Sequence, residues 1–371
     1  EEYVCGSRIF ADRFVVLFAI PDGYSLQAIT DKIVAEGEQF LAEKRRLHPR
    51  SHLAFVGGVC PVEGRPESLH SLVTRADQAR RSLKPTLRSR GGVFTEAMEI
   101  CRLQRQSLYE DVTKALEHGG VFFLLQPQVD IATGAVVGAE ALARMRTPDG
   151  TLIMPGNFVP LLEESGDITG LDFTIYGQVC QYLQARQHAG KALLPISVNI
   201  SREHFRNPAF VDDLHALVQS YGLEPRWLGL EITESVFVKN LEEISESVRQ
   251  LKQYGYSIWL DDFGAGYSSL NVLKDVPFDV IKIDRGLLGS GAIAPTNKSI
   301  ITSVVRLAED LNMGVLCEGV ENASQREFLS RLGAIQAQGF LYARPMSPDN
   351  FTSLLEGGKK LLPAGEEAPD A

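Results

Sequence analysis

The sequence predicts a (β/α)8-type barrel over residues 120–356, preceded by a smaller α/β domain and a connecting helix. Three observations indicate the barrel. Short apolar runs alternate with helical stretches over about 235 residues, charged and polar residues recur where the runs end, and a tight turn joins the first two runs. Alternating strands and helices of this length are typical of a barrel whose strand ends carry the chemistry.

Eight apolar runs account for the strands of the predicted barrel: residues 121–129, 136–144, 194–200, 228–233, 257–262, 280–284, 314–318 and 335–342. Helical periodicity predicts most of the intervening helices, at residues 169–189, 208–221, 241–254, 298–311 and 324–332. The turn at Gly134 leaves no room for a crossover helix between the first two strands. These two strands are therefore predicted to form an antiparallel hairpin, which makes the barrel irregular.

The part before the barrel, residues 1–94, has the pattern of the trailing half of an α/β domain. Strand, helix, strand and helix are predicted in turn at residues 13–20, 25–46, 52–62 and 67–84. A stretch rich in Pro and Gly, 85–95, is predicted to be a linker or the last hairpin of this domain. A helix within 95–119 then connects to the barrel. The tail, 357–371, is rich in Gly, Pro and Glu and is predicted to be disordered.

Composition limits the kind of partner and the compartment. A chain of 371 residues fits two domains, and its net charge of −10 argues against duplex nucleic acid, which needs a basic face. The five cysteines are scattered, which fits a reducing cytosol. No run approaches the roughly 18 apolar residues that span a bilayer. These features predict a cytoplasmic protein, which segments upstream of residue 1 could still tether.

The most informative stretch is an apolar strand, 258–260, that ends in two adjacent carboxylates, Asp261 and Asp262. A glycine-rich turn and a short helical segment follow, then a second strand that ends with Lys282 and Asp284. Charge at the end of a buried strand is costly unless it is paired or binds metal. Two carboxylates can share a pair of divalent cations there if the backbone turns, since a continuing strand would send them to opposite faces. The alternative is that Asp262 is a helix N-cap.

Further polar residues lie at or near the ends of the other predicted strands: Glu140, Arg144, Asn199, Glu231, Glu234, Glu318, Glu321 and Gln338. Each of them singly has an ordinary structural explanation, such as an ion pair or a cap. Carboxylates gathered in one barrel mouth, however, would repel one another or shift their pKa values unless cations lay among them. Oxygen ligands without His or Cys clusters suit Mg²⁺ or Mn²⁺ rather than zinc.

The segment DDFGAGYSSL at residues 261–270, followed by IKID at 281–284, resembles the signature loop of EAL-domain phosphodiesterases. The resemblance extends over about residues 121–350 and includes Glu140-Ala141-Leu142. It implies an EAL-type barrel with an antiparallel first strand and the hydrolysis of cyclic di-GMP. It also implies a homodimer formed through the EAL domain.

The resemblance also implies roles for individual residues. Two ions, Mg²⁺ or Mn²⁺, would be bound by Glu140, Asn199, Glu231, Asp261 and Asp262, with Asp261 bridging. The attacking water would be positioned and deprotonated by Lys282 and Glu318, and Glu234 would hold the signature loop. Contacts with the substrate would come from Gln126, Leu142, Arg144, Glu321 and Gln338.

The N-terminal part resembles the C-terminal half of a GGDEF domain, the diguanylate cyclase module. The family's signature would fall on FADRF at residues 10–14, and RADQA at 75–79 matches its final helix. Phe10 and Ala11 stand where two glycines would let GTP approach the backbone, and Arg13 replaces an acidic residue. We therefore predict a partial, degenerate domain without cyclase activity and with a regulatory role.

Taken together, the sequence predicts metal-dependent hydrolysis of cyclic di-GMP to linear pGpG. One alternative is a receptor that binds cyclic di-GMP without cleaving it. Loss of Glu140, Glu231, Asp261, Lys282 or Glu318 would favour the receptor, and all five are present. Another alternative is a phosphodiesterase with a different base preference.

Overall fold

The computed structural model describes residues 3–20, 23–47, 53–62, 68–84, 88–238, 241–264, 270–289, 291–333, 335–358 and 360–361. The chain divides into two compact units, Glu1–Leu108 and Tyr109–Ala371. Two predictions fall mainly outside the described residues: the glycine-rich part of the signature loop, 265–269, and the tail, 357–371. None of the described helices combines the length and the hydropathy that crossing a bilayer requires.

The first unit contains two small sheets with helices beside them. Its strands are β1 (Tyr3–Phe10), β2 (Arg13–Phe18), β3 (Val56–Val59) and β4 (Arg90–Val93). Its helices are α1 (Leu26–Leu47), α2 (Leu69–Arg81) and α3 (Glu96–Glu117), and the division between the units falls within α3. β1 and β2 form an antiparallel hairpin, whereas β3 and β4 pair in parallel.

The prediction of a linker or hairpin at residues 85–95 is wrong for residues 90–93, which form strand β4. Glycines occur in β4 and in the neighbouring strand β3 because both strands pack very closely against helices. A Cβ added at Gly58 in β3 would overlap the backbone of α2, and one at Gly91 in β4 would overlap Thr30 of α1. Glycine here marks close packing within a sheet rather than a turn. The sequence pattern also missed β1.

The second unit is the barrel. Its strands are β5 (Val121–Asp130), β6 (Val136–Arg146), β7 (Leu152–Ile153), β8 (Ile196–Asn199), β9 (Leu228–Thr233), β10 (Ser257–Phe263), β11 (Val280–Ile283), β12 (Gly314–Cys317) and β13 (Gln336–Ala337). The ring runs β5-β13-β12-β11-β10-β9-β8-β6 and closes through β5 and β6. β5 is antiparallel to both of its neighbours, and the other strands of the ring pair in parallel. This confirms the predicted irregular barrel.

Helices surround the barrel strands. They are α4 (Pro155–Ser165), α5 (Ile168–His188), α6 (Phe210–Ser220), α7 (Leu241–Tyr254), α8 (Leu270–Asp275), α9 (Arg285–Leu288), α10 (Pro295–Asp310), α11 (Ala323–Ser330) and α12 (Pro348–Glu356). Short 3-10 helices occur at Arg202–Arg206, Pro225–Trp227 and Glu234–Val238. Because helices cover the outside, strands such as β9 are buried on both faces. The carboxyl ends of the parallel strands therefore meet at one mouth, where polar side chains can gather.

Candidate active site

The mouth of the barrel brings together most of the polar residues that the sequence analysis singled out. They come from successive strands of the ring: Glu140 from β6, Asn199 from β8, Glu231 from β9, Asp261 from β10, Lys282 from β11, Glu318 just after β12 and Gln338 just after β13. Parallel strands that end at the same level place these side chains on one face of the barrel. The fold thus brings residues that are far apart in the sequence into one cluster.

Lys282 lies at the centre of this cluster and is 1% exposed. Its ammonium nitrogen contacts four carboxylates: Glu231 Oε2 at 2.5 Å, Glu318 Oε1 at 2.6 Å, Asp261 Oδ1 at 3.0 Å and Glu140 Oε2 at 3.6 Å. Burial acts to lower the pKa of Lys282, but the surrounding carboxylates outweigh it and raise the pKa well above its usual range. One buried ammonium therefore faces several acidic groups.

The carboxylates of the cluster are not fully satisfied by this one ammonium. Burial and then repulsion from Glu140 raise the pKa of Glu231 well above its usual range, and burial raises the pKa of Glu318 to about 7. Among the described residues, Oε1 of Glu231 has no hydrogen-bond partner. Oδ1 of Asp261 touches Lys282 without the alignment of a hydrogen bond. Buried acceptors of this kind favour the binding of a further cation.

Asp261 and Asp262 face the same pocket because the backbone turns between them. Asp262 has a φ of 57°, in the left-handed region, and the register between β10 and β11 shifts between Leu260 and Phe263. As a result, carboxylate oxygens of Asp261, Asp262 and Glu318 lie within 4.8 Å of one another. Burial and the charge of Asp261 raise the pKa of Asp262. The N-cap alternative for Asp262 is wrong, since this residue belongs to β10.

These residues fit divalent metal ions. The cluster offers carboxylate and amide oxygens, which are the donors that Mg²⁺ and Mn²⁺ prefer. The unpartnered oxygen of Glu231 is an acceptor that a cation would satisfy. Glu318, which the sequence analysis treated as a base and not as a ligand, lies beside Asp261 and Asp262.

Amide side chains tie Glu140 into the cluster. Nε2 of Gln338 donates to Glu140 Oε2 at 2.6 Å and to Gln126 Oε1 at 3.2 Å. Nδ2 of Asn199 donates to the other oxygen of Glu140 at 3.4 Å. Gln126 and Gln338, which the sequence predicts to contact substrate, are thus joined directly to Glu140.

A cavity of about 400 Å³ opens beside Asn199. Leu142 and Arg144, near the end of β6, line it together with Thr233, Ser235 and apolar residues of α5. Arg144 is half-buried, and burial lowers the pKa of its guanidinium. A cationic group beside a cluster of metal-ligating type is suited to binding a phosphate.

The remaining predicted residues, Glu234 and Glu321, lie near the ends of β9 and β12. Glu234 is buried and begins the 3-10 helix Glu234–Val238 directly after β9. Its predicted contact is with the signature loop, residues 262–270, of which 265–269 lie outside the described residues. Glu321 is exposed, and its backbone N–H donates to the side chain of Gln325 at 2.8 Å.

Sequence reasoning missed three polar residues behind Asn199. Asp172 and Tyr176 lie on α5, and His204 lies in the following 3-10 helix; all three are buried. The hydroxyl of Tyr176 donates to the carbonyl oxygen of Asn199 at 2.9 Å. The only available signal was a carboxylate within the apolar pattern of α5, which does not reveal its partner.

The second unit is similar to domains of known proteins. The EAL domain family model matches residues 109–345. The bifunctional diguanylate cyclase/cyclic di-GMP phosphodiesterase MucR of Pseudomonas aeruginosa is 32% identical over 345 residues, which are 93% of this chain and 50% of that protein. The cyclic di-GMP phosphodiesterase NbdA of the same organism is 28% identical over 92% of this chain and 43% of its own length. The chain spans about half the length of such curated relatives.

Solved structures are similar over the barrel. The PaMucR phosphodiesterase in complex with c-di-GMP has a TM-score of 0.62 and 36% identity, over 66% of this chain and 99% of that one. The EAL domain of Mycobacterium smegmatis DcpA has a TM-score of 0.54 and 27% identity, over 65% and 98% of the two chains.

Proposed function

The chain belongs to the EAL domain family, and from this premise we propose that it hydrolyses cyclic di-GMP to linear pGpG with two divalent ions, Mg²⁺ or Mn²⁺. The observation that carries the proposal is the cluster in the barrel mouth. There, several carboxylates surround the single ammonium of Lys282, and one oxygen of Glu231 remains without a partner among the described residues. Such a site is costly to fold unless cations complete it.

The positions of the side chains in the barrel mouth support an assignment of the metal ligands. Glu140, Asn199, Glu231 and Asp261 would hold one ion, and Asp261 and Asp262 the other. When bound, the ions supply charge neutralisation for the phosphoryl oxygens and make water a better nucleophile at neutral pH. The left-handed turn at Asp262 supports this assignment, because it directs both aspartates into one pocket.

Glu318 is the proposed general base. In the reaction a water oxygen attacks one phosphorus, the bond from that phosphorus to the ribose 3′-oxygen breaks, and Glu318 accepts the proton of the water. Lys282 Nζ, 2.6 Å from Glu318 Oε1, orients this carboxylate and offsets its charge. The departing 3′-oxygen takes up a proton, which leaves a linear dinucleotide with a 5′-phosphate.

The cavity beside Asn199 is the proposed place for the substrate. Arg144 would bind a phosphate, and Leu142 would pack against the ligand. We assign Gln126, Gln338 and Glu321 to contacts with the substrate or its water shell, and Glu234 to support of the signature loop. Of these, Gln338 would act in part through its hydrogen bond to Glu140.

The N-terminal unit is proposed to be a degenerate GGDEF-like domain with a regulatory role. In the hairpin turn between β1 and β2, Ala11 has a φ of 41°, a conformation that glycine adopts at no steric cost. This supports the view that glycines of an active signature have been replaced. We also propose a homodimer formed through the barrel and a cytoplasmic location.

Two substitutions distinguish an enzyme from a receptor. Glu318→Gln keeps shape but removes the base, so turnover in Mg²⁺ should fall by about 10²-fold or more, in the range of general-base loss. Calorimetric binding of cyclic di-GMP in Ca²⁺ should persist, since the assigned metal ligands remain. Asp261→Asn removes a shared ligand, so binding and turnover should both fail. Tight binding by the wild type without turnover would establish the receptor, and full turnover by Glu318→Gln would remove Glu318 from the mechanism.

A further inference from the structure

We infer that Asp172, Tyr176 and His204 form a brace that positions Asn199, and through it the first metal site. The inference rests on the proposed function, which makes Asn199 a metal ligand. Asn199 is the last residue of β8, where the strand ladder that would hold its backbone stops. On one side it still pairs with Glu231 of β9, and the remaining support comes from contacts outside the sheet.

The first contact of the brace is made by Tyr176. Its hydroxyl donates to the carbonyl oxygen of Asn199 at 2.9 Å, and its side chain is 1% exposed. On the other side, the N–H of Ile200 donates to the carbonyl of Glu231 at 2.8 Å. The peptide unit that follows the Asn199 Cα is thus held at both ends, by α5 and by β9.

The second contact is made by Asp172, one turn before Tyr176 on the same face of α5. Its Oδ2 accepts a hydrogen bond from the N–H of Ser201 at 3.2 Å and another from Nε2 of His204 at 3.0 Å. His204 is 2% exposed, and its ring stacks on Phe210 with the centroids 4.3 Å apart. A buried carboxylate is costly without hydrogen bonds, and within the described part of the chain both hydrogen bonds of Asp172 go to the segment that follows Asn199.

The brace has a purpose beyond stability. Three hydrogen bonds run from one helix face to residues 199–204, where Asn199 is the assigned metal ligand. Apolar side chains of similar shape would hold the same core about as well, because the net gain from a buried hydrogen bond is small. A metal ligand, by contrast, must be held in a precise position. Removing a residue that hydrogen-bonds to a metal ligand commonly weakens metal binding by about 10- to 100-fold.

The side chain of Asn199 fits this role. Its amide nitrogen donates to Glu140 at 3.4 Å, which leaves the amide oxygen for a cation. Asp172, Tyr176 and Asn199 all line the cavity that Leu142 and Arg144 border, and Asn199 is the member of the cluster that reaches it. The brace therefore joins α5 to the backbone at Asn199, and a shift of that backbone would move the side chain that is assigned to the metal.

Tyr176→Phe tests the brace, since it removes only one hydroxyl. We would measure Mn²⁺ binding to the metal-free protein from the electron paramagnetic resonance signal of free Mn²⁺, together with the melting temperature. The expected result is a tight-site affinity that falls about 10-fold, at the lower end of that range, with turnover recovering at saturating Mn²⁺. Asp172→Asn replaces the charged oxygen that accepts both bonds with a neutral amide oxygen, and it should shift the affinity in the same direction.

Tyr182→Phe is the matched control. Tyr182 lies on the same helix, and its hydroxyl pairs with Oγ1 of Thr352 at 2.9 Å, on the side of α12. It should lose no Mn²⁺ affinity. Equal Mn²⁺ binding by the Tyr176 and Tyr182 variants, or a loss of melting temperature alone in Tyr176→Phe, would overturn the brace. A wild-type protein that binds no Mn²⁺ would overturn the metal assignment itself, and with it the brace.

Discussion

Replacing Lys282 with methionine would show how much of the barrel's stability depends on one buried charge. The substitution keeps an apolar stem of similar length and removes the ammonium that contacts the four carboxylates. Breaking a buried ion pair by removing one partner costs about 3–5 kcal/mol. Some of the carboxylates will take up protons, which the raised pKa of Glu231 favours, and this keeps the cost near that range.

The assay is urea unfolding in EDTA, followed by tryptophan fluorescence. Both tryptophans of the chain, Trp227 and Trp259, lie in the barrel, so the signal reports on this unit. The free energy of unfolding of Lys282→Met should fall by about 3–5 kcal/mol. Excess Mn²⁺ should stabilise the variant more than the wild type, because cations replace the missing charge and no ammonium opposes them.

Lys252→Met is the control for this experiment. Lys252 pairs with Asp279 at 2.5 Å, but its side chain is 31% exposed, so the loss should stay below about 1 kcal/mol. Equal losses for the two variants, or an unchanged stability of Lys282→Met in EDTA, would refute the account of a buried charge cluster.

The other predictions concern packing, thiols and the N-terminal unit. Gly339→Ala should cost at least about 2 kcal/mol in the same urea assay, because a Cβ there would overlap the backbone of Val320 between the ends of β12 and β13. A thiol reagent at pH 8 should label the two exposed cysteines quickly and the half-buried one more slowly. Cys180 and Cys317, whose pKa burial raises to about 12, should react only after unfolding; rapid labelling of either would contradict their burial. In the Asp261→Asn background, which prevents breakdown, GTP should yield no cyclic di-GMP by chromatography; any product would refute an inactive cyclase unit.

The barrel could be predicted from the sequence because its strands are buried on both faces and read as apolar runs. The antiparallel start followed from the short connection at Gly134, which excludes a helix. The pattern failed where tertiary packing replaced local preference. β4 is a strand although it is rich in glycine, and β13 is only Gln336–Ala337 because the chain turns away at Gly339.

The site could be predicted in part for a similar reason. Polar residues at strand ends converge wherever the strands are parallel, so Glu231 and Lys282 could be expected in one mouth. The distances between these side chains could not be predicted, and the central position of Lys282 is a result of the fold. The brace of Asp172 and Tyr176 was also hidden, because the partners of a helix side chain depend on contacts that no local spacing records.

The most direct test of the proposed activity is incubation of the protein with cyclic di-GMP, with the nucleotide products separated by chromatography. With Mg²⁺ or Mn²⁺ we predict conversion to linear pGpG, and with EDTA or with Ca²⁺ alone we predict none, since the site needs compact octahedral ions. Unchanged cyclic di-GMP in Mg²⁺ and Mn²⁺, or equal rates in EDTA and in Mg²⁺, would contradict metal-dependent hydrolysis by this barrel.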